Sequence, residues 1–189
     1  MASARDAGFS MIEVLISILV LAIGMLGAGA IQLAALRTSQ QSSLHSIGVQ
    51  LAADLADRMR ANDAQMQLAS ADNPFLDLDI SNDQSPSAAP AVNCYAASCD
   101  PQQLALFDMY EWQQRLREAL PGARAVVCRD DDPWHDTSRR LAWDCTDDES
   151  ASVVIKVGWA AKDPSGKLAT EVEGASFPEI ALLVAPYAP

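Results

Sequence analysis

Residues 14–36 read VLISILVLAIGMLGAGAIQLAAL, 23 residues without one charged side chain. A helix rises ~1.5 Å per residue, so this run is long enough to span the ~30 Å hydrocarbon core of a bilayer. Core helices of soluble domains rarely continue so far without a charge, and the run therefore predicts a membrane helix. Ser17 and Gln32 are its only distinctly polar side chains. Gly24, Gly27 and Gly29 would each cost about 1 kcal/mol of helicity in water relative to Ala. That cost shrinks in lipid, where a broken backbone hydrogen bond finds no water to replace it. Small residues also permit close approach of a second helix.

The remainder of the chain is of a different kind. Over 189 residues, Asp and Glu number 25 against 13 Lys and Arg, for a formal net charge of −12. Yet residues 7–36 contain one charge, Glu13. The length suggests one domain with an appendage, here an apolar segment joined to an acidic polar domain. The acidity argues against a nucleic-acid partner, whose phosphates need a basic face. It equally provides no polybasic attraction to anionic lipid. With 50% apolar residues the chain is not wholly disordered.

A secretory signal peptide would place a basic stretch first, then 7 to 15 apolar residues in rough terms, then a small-residue cleavage site. The leader MASARDAG instead carries one Arg and one Asp, and the apolar run follows directly. Glu13 stands at the edge of the membrane segment. A carboxylate there either reaches the head groups or needs a partner. Gly8-Phe9-Ser10-Met11-Ile12-Glu13 followed by the long apolar run resembles the type III signal of type IV pilins and pseudopilins. That resemblance implies cleavage by a prepilin peptidase between Gly8 and Phe9 and N-methylation of the new terminal Phe9. It makes Glu13 the assembly carboxylate. The chemistry is coherent: cleavage creates a cationic amine at membrane depth, and the Glu13 of a neighbouring subunit can supply its counter-charge.

Beyond Arg37, Leu44, Ile47, Leu51, Leu55 and Met59 recur at helical spacing, which predicts an amphipathic stem with Asp54 and Arg58 paired on its polar side. A helix over residues 9–62 would be roughly 80 Å long, with Asn62 as its terminator. Residues 63–101 read as an acidic loop region. Within it, Asp77-Leu-Asp79-Ile-Ser81-Asn82-Asp83 invites a calcium reading, but Asn82 and Ala88 stand where an EF-hand loop needs Gly and Glu. A solvated loop is the better reading, and the same holds for Asp130-Asp131-Asp132 and Asp147-Asp148-Glu149. Residues 102–120 predict a second helix stopped by Pro121-Gly122. Strand-like runs follow at 124–128, 139–144, 152–159 and 179–184, divided by turn-rich segments. Short connections imply an antiparallel meander. The fold class is α+β, with a long N-terminal helix packed against a small antiparallel sheet.

The cysteines are Cys94, Cys99, Cys128 and Cys145. Four thiols admit three pairings; Cys94–Cys99 with Cys128–Cys145 is favoured because each closes a local loop. An extracytoplasmic domain makes disulfides the default, and spacings of 4 and 16 fit a zinc site poorly. His45 and His135 show no ligand spacing, and no phosphate cradle or nucleophile elbow is present. Nothing points to an enzyme, a cofactor, a metal or a small-molecule substrate.

Two further stretches, residues 54–62 (DLADRMRAN) and Trp112 with Leu116, Leu120 and Gly122, resemble a minor-pilin branch of that family, the type IV pilus modification proteins. Many major pilins carry a proline within the apolar segment, and residues 14–36 have none. The resemblance implies the following layout: leader 1–8, membrane or filament-core helix 9–36, stem 37–62, acidic loop region 63–101, and helix with antiparallel sheet 102–189. It implies the bacterial inner membrane as location, with the C-terminal domain in the periplasm and later in a pilus. The implied partners are prepilin peptidase, other minor pilins and the major pilin. A minor pseudopilin of a type II secretion system shares the leader, and a membrane-anchored periplasmic binding module is the alternative of another class.

Overall fold

The computed structural model describes residues 8, 10–76, 78–81, 87–160 and 177–185. Residues 1–7 of the leader, Phe9, and Asp77, Asn82 and Asp83 of the acidic loop lie outside the described residues. The chain divides into two compact units, Met1–Ser43 and Leu44–Pro189. Helix α1, Met11–Ala61, contributes to both.

In the first unit α1 is exposed all round, from Met11 at 88% to Leu36 at 68%. In the second unit the same helix has one buried face. Leu51, Ala52, Leu55, Ala56 and Met59 enter the core, with Leu44 and Ile47 packed against its edge. This is the face that the apolar spacing predicts. Arg58 and Arg60 lie in its last turn, where positive charge complements the helix dipole.

The acidic loop region contains ordered elements that its composition does not announce. After α1 come the short helix α2, Asp63–Met66, and a 3-10 turn, Ser70–Asp72. Strand β1 follows at Leu78–Ser81. Leu78 and Ile80 point into the core and Asp79 out, where Arg124 pairs with it at 3.0 Å. The calcium-like motif is therefore in part a strand, and its alternation is that of a half-buried sheet edge.

Helix α3, Pro101–Ala119, starts one residue earlier than the spacing predicts. Asp100 is the reason. Its carboxylate accepts the Gln103 N–H at 2.8 Å while the Gln103 side chain accepts the Asp100 N–H at 3.2 Å, a reciprocal cap. At the other end the chain reverses through Gly122, whose φ of +58° favours glycine, and any Cβ there would lie 2.8 Å from that of Ala160.

Strands β2, Arg124–Arg129, β5, Val153–Gly158, and β6, Ile180–Ala185, match three of the strand-like runs. The fourth run, 139–144, does not join them. Only Arg140–Leu141 of it (β4) is a strand, paired with Trp134–His135 (β3) in a separate two-stranded ribbon. The main sheet has the order β1-β2-β5-β6, antiparallel throughout. Its inner face, built from Leu78, Ile80, Ala125, Val127, Val153, Ile155, Val157, Ile180 and Val184, packs with α1 and with Ala105, Met109, Trp112 and Leu116 of α3. Trp112 is fully buried, and its indole N–H donates to the Leu51 carbonyl at 2.8 Å. Gly48 lets Trp159 and Ile180 close onto α1: a Cβ there would lie 2.7 Å from the Trp159 ring.

Candidate processing and assembly site

The site lies where α1 begins. The Ser10 carbonyl accepts the N–H of Glu13 at 3.0 Å and of Val14 at 3.3 Å, which nucleates the first turn. Ser10-x-x-Glu13 also has the composition of a capping box, a start signal legible in the sequence. A carboxylate in this first turn is favoured by the helix dipole. The Ser17 hydroxyl donates to the Glu13 carbonyl at 2.7 Å, so Ser17 satisfies its own polarity inside the helix. Thr38 does the same with Ala34 at 3.1 Å. The Glu13 carboxylate is exposed, and among the described residues no salt bridge or hydrogen bond reaches it.

Behind Glu13 the helix is apolar on every side. Ile12, Leu15, Leu19, Ile23, Leu26 and Ile31 are 60% to 76% exposed. A helix hydrophobic all round belongs inside another medium or assembly. By length and composition this one can cross a membrane, and none of its most apolar window is buried. Gly24, Gly27 and Gly29 have no neighbour within 4 Å of where a Cβ would stand. Among the described residues their smallness therefore serves no contact. The arrangement offers a hydrophobic helix bearing one carboxylate in its first turn.

In the second unit the sequence-derived pair Asp54–Arg58 is present at 3.2 Å and belongs to a larger cluster. Arg58 also bonds Asp108 and lies 3.6 Å from Glu111, both on α3, while Arg115 pairs with Asp54. Burial works against the charged Arg58, but Asp54, Asp108 and Glu111 outweigh it and raise its pKa above the ordinary value. For Asp108, burial prevails over the attraction of Arg58 and raises its pKa. Tyr95 donates to Glu111 at 2.8 Å and meets the Phe107 ring edge-on at 5.1 Å. The Arg58 and Arg115 contacts fasten α1 to α3, and those of Tyr95 tie the preceding loop to α3.

The four cysteines form two bonds, Cys94–Cys99 and Cys128–Cys145. Closing the longer loop contributes about 3 kcal/mol in the chain-entropy picture. His45 is exposed on α1 with its ring 6.1 Å from Trp159, and His135 accepts the Ser138 N–H at 3.2 Å. Among the described residues no three His, Cys, Asp or Glu side chains gather as a metal site.

One expectation is corrected. Asp130 is not a solvated loop carboxylate: it is 1% exposed and lies 2.5 Å from the ammonium of Lys156, itself fully buried. The signal was a lysine inside the apolar run Val153-Val-Ile-Lys-Val157, which needs a buried counter-charge. Asp131, Asp132, Asp147, Asp148 and Glu149 are exposed, as solvated loops require.

An apolar N-terminal helix ahead of a disulfide-bonded α+β domain defines the class: a pilin-like fold whose first helix fits membrane anchoring. Residues 3–29 match the family model of the prokaryotic N-terminal methylation motif, which supports a type IV pilin-like family. No curated protein and no solved structure matches the chain.

Proposed function

We propose that the chain is a minor pilin of a type IV pilus, similar to PilV, the type IV pilus modification protein. It is a structural subunit without enzymatic activity, which helps to initiate pilus assembly together with other minor pilins and the major pilin. On this reading it resides in the inner membrane with its domain in the periplasm. Prepilin peptidase cuts between Gly8 and Phe9, Phe9 is N-methylated, and the subunit then enters the pilus. The observation that carries the reading is the match of residues 3–29 to the methylation motif on a helix whose apolar window is wholly unburied.

Glu13 is the assembly carboxylate in this account. Within an assembly it faces the amine of a neighbour's Phe9, and removing it leaves that amine buried and unpaired at a cost of about 3–5 kcal/mol. Two measurements test this together. Intact mass of the membrane protein should show a chain beginning at N-methylated Phe9, in the wild type and in Glu13→Ala alike. Glu13→Ala should then fail to co-purify with sheared pili or with partner pilins at matched membrane abundance. Retention of residues 1–8 in cells with active peptidase would remove the pilin reading. Normal incorporation of the cleaved variant would remove only the pairing role of Glu13.

A further inference from the structure

On the outer face of the main sheet the central strands β2 and β5 are closed to water, although no helix among the described residues packs on them. Val126 and Cys128 on β2 and Val154 and Lys156 on β5 are all buried, and their register puts Val126 beside Lys156 and Cys128 beside Val154. Among the described residues, the segment tied to this face is 131–149, the excursion that carries the ribbon β3–β4. Not one of those residues is itself buried, so the cover has no apolar core. Its described ties to the sheet are covalent, polar or cationic. Cys145 is bonded to Cys128. The Asp144 carbonyl accepts from Lys156 at 2.5 Å, and the Asp147 N–H donates to the Arg129 carbonyl at 3.0 Å. The Arg124 guanidinium lies 4.6 Å from the centre of the Trp143 ring, and Glu149 pairs with Arg129 at 3.2 Å.

A cover held this way lacks the apolar burial that keeps most elements closed. Lys156 and Asp130 depend on it most, because a charge pair is tolerable in a dry interior only while both partners and their hydrogen bonds stay in place. Lys156 uses the cover directly through Asp144. Asp130 sits at its hinge, its N–H bonded to the Ser152 carbonyl at 2.9 Å and its Oδ1 accepting the Asp132 N–H at 3.1 Å.

We infer that residues 131–149 form a disulfide-latched flap, and that oxidation of Cys128 and Cys145 is the step that seals the Lys156–Asp130 pair away from water. The chemistry is thiol–disulfide exchange. The two thiols lose two protons and two electrons, the S–S bond forms, and a disulfide oxidant of the compartment is reduced to its dithiol. Burial of Lys156 therefore follows a reaction of the thiol-oxidoreductase class. Coupling runs both ways: whatever stabilises the ion pair also favours the closed thiol pair. The latch belongs to the domain alone and stands whether or not the chain enters a filament.

The test uses the full chain in detergent, equilibrated in glutathione buffers of graded redox ratio. Differential alkylation with peptide mapping reads each disulfide separately, and an amine-reactive label reads Lys156. Hydrogen exchange over residues 51–59 and 105–116 reports whether the core stays folded. Reduction of Cys128–Cys145 should speed Lys156 labelling about tenfold or more while the core stays protected. Unchanged labelling in the reduced, folded chain overturns the flap, and so does loss of core protection, because the bond would then hold the whole domain. Asp130→Asn should shift the thiol–disulfide equilibrium of that one pair toward the reduced form by about tenfold. An unshifted equilibrium overturns the coupling.

Discussion

Leu26 and Leu55 occupy the same helix, one 76% exposed and the other 1%. Locally they are alike, each a good helix former flanked by other helix formers. They differ in whether the chain supplies a cover. Around Leu55 the apolar residues fall on one face, and α3 and the sheet meet that face. Around Leu26 they fall on every face, and among the described residues nothing surrounds them. Burying a leucine contributes about 1.5–3 kcal/mol. The second unit collects that energy when it folds. The first can collect it only from lipid or from neighbouring helices. One helix thus holds a completed structure and an unfinished one.

The sharpest way to break this contrast is to truncate one buried and one exposed apolar side chain. Trp112→Ala should cost the domain about 3–5 kcal/mol, having lost both its packing and the tie to Leu51. Leu21→Ala should leave domain stability within about 0.5 kcal/mol. Urea unfolding followed by hydrogen exchange on β5 compares them, and equal effects would mean that the two units are not energetically separate.

Glycines sharpen the same point with a smaller effect. At Gly48 a methyl group meets the Trp159 ring at 2.7 Å and the Ile180 Cδ1 at 2.9 Å. Gly48→Ala should therefore destabilise the domain by about 1–3 kcal/mol through forced repacking. At Gly24 the same methyl meets nothing within 4 Å. Gly24→Ala should leave the domain unfolding midpoint where it is, so that any defect appears only in assembly. A loss of domain stability from Gly24→Ala would contradict the division.

The smallest effect concerns Tyr95. Its hydrogen bond to Glu111, then burial and the charge of Glu111, raise its pKa above 10.0, with Arg58 and Arg115 pulling the other way. The folded value lies above the unfolded one. The contribution of this bond is therefore present below the ordinary tyrosine range and disappears as pH rises through the folded value. Ultraviolet titration of Glu111→Gln should show one phenol ionising at lower pH than in the wild type. An unchanged titration would remove Glu111 as the cause.

Features that depend on neighbours in sequence were legible from the residues. The apolar run, the stem face through Leu51, Leu55 and Met59, and three of the strands follow from periodicity, which a short window displays. The start of α3 was legible too, in Asp100 and Gln103, although spacing alone placed it a residue late. Strand β1 was hidden because four residues, Leu-Asp-Ile-Ser, within an acidic stretch carry almost no periodic signal. It exists because β2 offers it an edge and the core accepts Leu78 and Ile80.

Burial of charge is the clearest case of what lay beyond local reading. Asp130-Asp131-Asp132 looks uniformly solvated, yet Asp130 is enclosed and its two neighbours are not. The partner, Lys156, comes from a strand 26 residues on, and the cover arrives by way of Cys145. By itself the sequence determined that this chain has an uncharged helix long enough for a bilayer, a carboxylate at its start and an amphipathic continuation, because each depends on the order of residues along one helix. Tertiary structure alone decided which acidic residue is dry, which strand-like run leaves the sheet, and why Gly48 has no side chain. Those outcomes depend on which distant atoms occupy the same space, and spacing along the chain does not encode that.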